Sequence, residues 1–168
     1  MFTRTRSRLF VSRSIKLLLP ALLLGVGNAA RAQVLNTVNG HYYEYVSSPG
    51  IFWTAAKTQA EGLSFKGLHG YLATVTSAQE TSFFASDLPD ALTNNSFLGG
   101  FQDTSAPDYS EPSGGWRWVT GEAWDYTNWA NGEPNNAGEP KTICISTTPV
   151  MATNGTTSTT ILALEGSS

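Results

Sequence analysis

One cysteine, Cys144, stands in a chain of 168 residues, so a disulfide framework within the chain is excluded. Charge is scarce as well, at 14% of residues. The two histidines, His41 and His69, stand apart from each other and from any ligand cluster, and neither is assigned chemistry. No glycine-rich phosphate loop, H-E-x-x-H or G-x-S-x-G occurs, and nothing around Cys144 supports its use as a nucleophile. These absences leave no catalytic constellation, and the chain reads as a non-enzyme.

Basic residues are missing from most of the chain. Six of the ten lie in residues 1–32, where there is no acid at all. Arg4, Arg6, Arg8, Arg13 and Lys16 precede an apolar run, Leu17 to Val26, broken by Pro20, and Ala30-Arg31-Ala32 is a small-residue cleavage site. This is the layout of a secretory signal peptide cleaved near Ala32, and the run is too short for a stable membrane span. A retained anchor is the alternative. The expected location is secreted, periplasmic or extracellular. Beyond Ala32, four basic residues face thirteen acidic ones, a net charge of −9. That balance argues against nucleic acid or an anionic membrane as partner and is compatible with cation binding. The remaining 136 residues suffice for one domain with a modest core.

What is present is aromatic and patterned. His41 to Val46 reads as a strand. Phe52, Ala55, Ala56, Gln59, Ala60 and Leu63 recur at helical spacing, predicting a helix over 52–63 that ends near Gly62. Tyr71, Ala73 and Val75 alternate as a half-buried strand should. Ser77 with Glu80 forms a capping box for a second helix over 77–88, with Phe83, Phe84 and Leu88 on its buried face and Pro89 near its end. Ser96 to Phe101 is a short apolar strand, and 102–115 is a long loop. Asp103 and Asp108 in that loop read as solvated charge. Trp116, Trp118 and Trp129 read as core, whereas Trp124 is open between core and a sugar-stacking platform.

Glu133-Pro134-Asn135 places a carboxylate and an amide on either side of a proline. Both side chains end in an oxygen acceptor, the donor type that hard cations such as calcium take. A proline between them restricts the backbone and can hold both oxygens toward one point. The amide keeps an NH2 that could donate to a sugar hydroxyl. Alone, the tripeptide is equally a solvated turn.

In order along the chain stand Gly40-His-Tyr-Tyr-Glu-Tyr45, Gly70-Tyr-Leu-Ala-Thr-Val75, Ser77-Ala-Gln-Glu80, Phe97-Leu-Gly-Gly100, Trp116-Arg-Trp118 and Glu133-Pro-Asn135. This series resembles the C-type lectin-like domain, whose signature runs from W-x-W-x-x-G to E-P-N. The resemblance implies an α+β fold, two helices flanking small antiparallel sheets, with a long loop region carrying the ligand site. It implies a calcium-dependent lectin for mannose- or glucose-type sugars, whose adjacent hydroxyls replace waters on the ion. Glu133 and Asn135 would then be both the calcium ligands and the carbohydrate-binding residues. Many such domains bind no sugar, so a calcium-independent module for protein or cell-surface partners is the second reading. Animal members usually carry two disulfides, and their absence implies a bacterial-type version.

The pattern stops near Pro140. Residues 33–140 hold 17 aromatic residues and 141–168 none. Lys141 stands where the family places its next acidic ligand, Glu139 is displaced by two positions, and no W-N-D follows. A reading frame starting one base earlier permits W-N-D within Asn154-Gly-Thr-Thr157 and a glutamate at position 141. The chain therefore divides into a signal peptide (1–32), a lectin-like domain (33–140) and a Thr-rich tail (141–168) that reads as out of frame, the alternative being natural divergence. A damaged gene would make a non-functional product. Without aromatic anchors the tail is expected to bury little apolar surface, although Thr159 to Leu164 is β-branched and apolar enough to imitate a last strand.

Overall fold

A computed structural model describes residues 33–136, 141–145, 151–154 and 159–164. The signal-peptide reading over 1–32, with its site at Ala32, and the displaced Glu139 lie outside the described residues. The elements in chain order are β1 (Val34–Leu35), β2 (Tyr42–Ser47), α1 (Trp53–Glu61), β3 (Ser64–Phe65), β4 (Leu68–Leu72), α2 (Ala78–Asp87) and α3 (Pro89–Thr93). They continue with β5 (Ser96–Gln102), β6 (Trp116–Trp118), β7 (Thr142–Ile145), β8 (Met151–Asn154) and β9 (Thr159–Leu164).

The two helices follow their sequence signals. Ala56 and Ala60, four residues apart, bury one stripe of α1. At the start of α2 the Ser77 side chain accepts from the Glu80 N–H at 3.2 Å. The Glu80 carboxylate reaches back to the Thr76 N–H at 2.7 Å, one residue earlier than the usual box partner. Leu88 closes α2, and Pro89 opens α3, where its missing N–H has no partner to lose.

The principal sheet order is β1-β2-β9-β5-β7-β8, with β4 pairing β9 and β6 pairing β5. Most pairings are antiparallel, and Phe97–Thr160 is a parallel bridge. The expected half-buried strand over 71–75 is displaced. The strand ends at Leu72, where its ladder with β9 also ends. Ala73, Thr74 and Val75 are all buried, and the Ala73 carbonyl accepts from the Gly99 N–H at 2.8 Å. Alternation thus gives way to enclosure on both faces.

Over the described residues 141–145 and Met151, the expectation that the tail buries little apolar surface is overturned. Ile143, Cys144, Ile145 and Met151 are 0–4% exposed and join or adjoin the core built on Phe84, Leu98 and Trp116. Aromatics are unnecessary there because a glycine makes the room. A Cβ on Gly100 would lie 2.4 Å from Ile143 Cδ1. Farther on, β9 runs antiparallel to β2 from Tyr42–Leu164 to Ser47–Thr159, so the inner edge of β2 is covered.

Candidate functional site

The site region consists of two long loops at the ends of β5, β6 and β8. The first, 103–115, is held by its own polar groups. Asp103 Oδ1 accepts from the Ser105 N–H at 2.9 Å and its hydroxyl at 2.6 Å. Those bonds hold the Asp103 carboxyl below the usual carboxylate range. Asp108 pairs with Arg117, which lowers the carboxyl and raises the guanidinium. Both aspartates belong to internal loop contacts at the surface. The loop closes where Trp116 Nε1 donates to the Pro112 carbonyl at 3.1 Å and Gln102 Nε2 to the Gly114 carbonyl at 2.7 Å.

The second loop, 130–136, hangs from the tail. The Ala130 N–H donates to the Met151 carbonyl at 2.8 Å, and the Met151 N–H donates to the Asn128 carbonyl at 2.7 Å. Gly132, at φ 86°, supplies a left-handed turn that lets the Glu133 N–H reach the Ala130 carbonyl at 3.0 Å. The Glu133–Pro134 peptide is cis. Across it, the Asn135 N–H donates to Glu133 Oε2 at 3.0 Å, and Asn135 Nδ2 donates to Glu133 Oε1 at 2.9 Å. The two sequence-predicted residues are therefore adjacent and half-buried. The amide that the sequence left available to a sugar hydroxyl directs one N–H at the neighbouring carboxylate.

At the next residue, Asn136, lies a contact that sequence reading missed. Lys141 Nζ donates to both Glu111 Oε2 and Asn136 Oδ1, with the lysine side chain 1% exposed. Glu111 Oε1 accepts from the Tyr109 hydroxyl at 2.7 Å. Lys141 and then Tyr109 hold the Glu111 carboxyl below the usual range. Lys141 was legible as a replacement for an acid. Glu111 was not, because it lies 30 residues away.

The tryptophans resolve as a stack rather than a platform. Trp116 and Trp118 are 2% exposed, and the half-buried Trp124 lies 4.5 Å from Trp118 and 5.8 Å from Trp116 between ring centroids. Trp129 lies 5.2 Å from Trp116. Together the four rings form one contiguous cluster, tied to the first loop through Trp116 Nε1 and the Pro112 carbonyl.

This donor set does not fit a calcium ion. Calcium takes 6–8 oxygens, several of them anionic. Here the Glu133 oxygens already accept from Asn135, and an ammonium stands at 141. Among the described residues no group of three or more His, Cys, Asp or Glu converges on a metal-sized point. No described helix is long and apolar enough to cross a membrane.

No protein-family model matches the chain. Halomucin of Haloquadratum walsbyi (strain DSM 16790 / HBSQ001) is 37% identical over 120 residues, covering 64% of this chain. The chain spans about 1% of that relative's length. Among solved structures, the C-type lectin CEL-I from Cucumaria echinata superimposes with a TM-score of 0.59 at 20% identity, over 74% of this chain and 90% of that one. A calcium-independent type II antifreeze protein does so with a TM-score of 0.57 at 17% identity, over 80% and 96%. The chain has the C-type lectin-like fold, an α+β architecture in which small helices flank antiparallel strands.

Proposed function

We propose that this chain is an exported lectin-like binding module that takes carbohydrate through the 130–136 loop, with its calcium capacity impaired. The reading rests on one observation, the pairing of Glu133 and Asn135 across a cis Pro134. A carboxylate and an amide held side by side offer acceptors and donors to adjacent sugar hydroxyls of the mannose or glucose type. In an intact family site a bound calcium ion would add direct coordination of those hydroxyls, and Glu133 and Asn135 would be its ligands. Here the hydrogen-bonding part is retained, while the charge needed to hold the ion is reversed at position 141.

The test is retention of the mature chain on mannose and glucose supports, with calcium and with a chelator. Weak retention that changes little with calcium and disappears in Glu133→Gln is expected. Retention equal in wild type and Glu133→Gln would overturn the carbohydrate reading. It would favour the calcium-independent protein- or surface-binding module, a reading that the buried Lys141 also supports.

The division of the chain belongs to the same proposal. Residues 1–32 are the cleaved leader, so the exported protein should begin at Gln33. Residues 33–140 carry the lectin-like sequence, and 141–168 are a shifted reading of a family-type ending. A shifted frame can still supply strands, because backbone pairing demands β-propensity rather than particular side chains. The acidic ligands are what such a shift removes. Resequencing the gene across codons 136–168 tests this, and an undisturbed frame would leave natural divergence as the account.

A further inference from the structure

The structure assigns to the Lys141 ammonium the role of a resident cation that ties the two site loops together in place of a divalent ion. The inference rests on the reading of 130–136 as the ligand loop, but its test needs no ligand. Of the four basic residues beyond the leader, Lys66 is exposed and the Lys57 and Arg117 side chains are 37% and 39% exposed. Lys141 alone is enclosed, at 1%. Lysine is almost never enclosed unless its charge is paired, because an isolated buried ammonium loses its hydration without return. Here the pairing is built. Glu111 supplies the carboxylate and is itself steadied by the Tyr109 hydroxyl at 2.7 Å. Asn136 supplies an amide oxygen from the other loop.

The backbone around the lysine is equally set. The Lys141 carbonyl accepts from the Gln102 N–H at 3.1 Å, and the next residue, Thr142, pairs with Phe101 at the start of β7. The ammonium is therefore projected from a hydrogen-bonded strand end rather than from a loop. It links 103–115 to 130–136, two segments separated in sequence by β6. A carboxylate from one loop and an amide oxygen from the other are donors that a hard cation would also take. The positive charge that neutralises them is carried by the chain itself, so loop order should not depend on added calcium.

Hydrogen exchange on the full chain, read separately over 103–115 and 130–136, tests this with calcium as the probe. Wild type should exchange at the same rate in millimolar calcium and in chelator. Lys141→Met should exchange faster in both loops, by about tenfold, whatever the calcium level. Lys141→Glu places an acid beside Glu111 and Asn136, and should be fast in chelator and slowed by calcium. Protection of the wild-type loops by calcium would overturn the inference, as would unchanged loops in Lys141→Met or indifference of Lys141→Glu to calcium. If Lys141→Met loses protection in β2 and β4 as well, Glu111→Gln decides. It removes the anion without burying a new charge and should loosen both loops, and unchanged exchange there would overturn the assignment. Failure of sugar retention would leave these rates untouched, so the two readings fail separately.

Discussion

Two segments of this chain present a glutamate to nearby N–H groups, and they do opposite things with it. At the start of α2, Glu80 is 4% exposed. Its carboxylate accepts from the Tyr43 hydroxyl at 3.0 Å, Asn39 Nδ2 at 2.9 Å, and the Thr76 N–H and hydroxyl at 2.7 and 2.8 Å. In the 130–136 loop, Glu133 is half-buried and accepts from the N–H and the side-chain amide of Asn135. The first glutamate joins β2, the turn before it and a helix terminus into one unit. The second closes a local turn with a residue two positions on, and its half-buried side chain stands near solvent. A carboxylate that satisfies several buried donors is structural, because each donor left without it is desolvated and unpaired. One that sits at a half-exposed turn can be exchanged for function.

The largest effect expected from breaking this contrast is at Glu80. Glu80→Ala leaves the Tyr43, Asn39 and Thr76 donors without their acceptor and should lower unfolding stability by about 3 kcal/mol, measured by urea denaturation. Gly100→Ala comes next. The new methyl meets Ile143 Cδ1 at 2.4 Å and the Trp118 ring at 3.1 Å, which should cost about 2 kcal/mol in the same measurement. It tests whether the framework depends on close packing as much as on its buried polar network.

Tyr43→Phe removes a single hydroxyl from that network and should cost about 1 kcal/mol. It should also alter the alkaline limb. Burial, and then the adjacent Glu80 charge, push the Tyr43 hydroxyl well above its ordinary value of 10.0. Above that value the unfolded chain releases this proton while the folded chain retains it, so stability falls as pH rises beyond about 10. The slope above pH 10 should be shallower in Tyr43→Phe by one proton's share, measured by denaturation at a series of alkaline pH values. The smallest effect is expected at Glu133. Glu133→Gln should change stability by less than about 0.5 kcal/mol while abolishing sugar retention. A loss as large as that of Glu80→Ala would erase the distinction between the two glutamates.

Much of the framework was legible because its signals are local. Ser77 and Glu80 are three residues apart, and helix geometry alone brings them together. Ala56 and Ala60 mark one face of α1 by spacing. The strand over 71–75 was misplaced because alternation reports one buried face, and Ala73 to Val75 are enclosed on both by Gly99 and the core. The first described stretch of the tail, 141–145, was misjudged because aromatic content stood in for burial, whereas Ile143 fits through a gap that Gly100 leaves in a strand far away in sequence.

The sequence by itself determined that Glu133 and Asn135 would be neighbours, since two residues across a proline have little choice, and that an acidic chain with one cysteine would be built without disulfides. Only the tertiary structure decided what surrounds them. It brought Glu111, Asn136 and Lys141 together from three separate segments, and it hung the 130–136 loop on the backbone of Met151. These contacts join residues up to 30 positions apart, or loops to strands that return late in the chain. No local pattern encodes such meetings. They follow from which strands pair, and strand pairing is decided by the whole core at once.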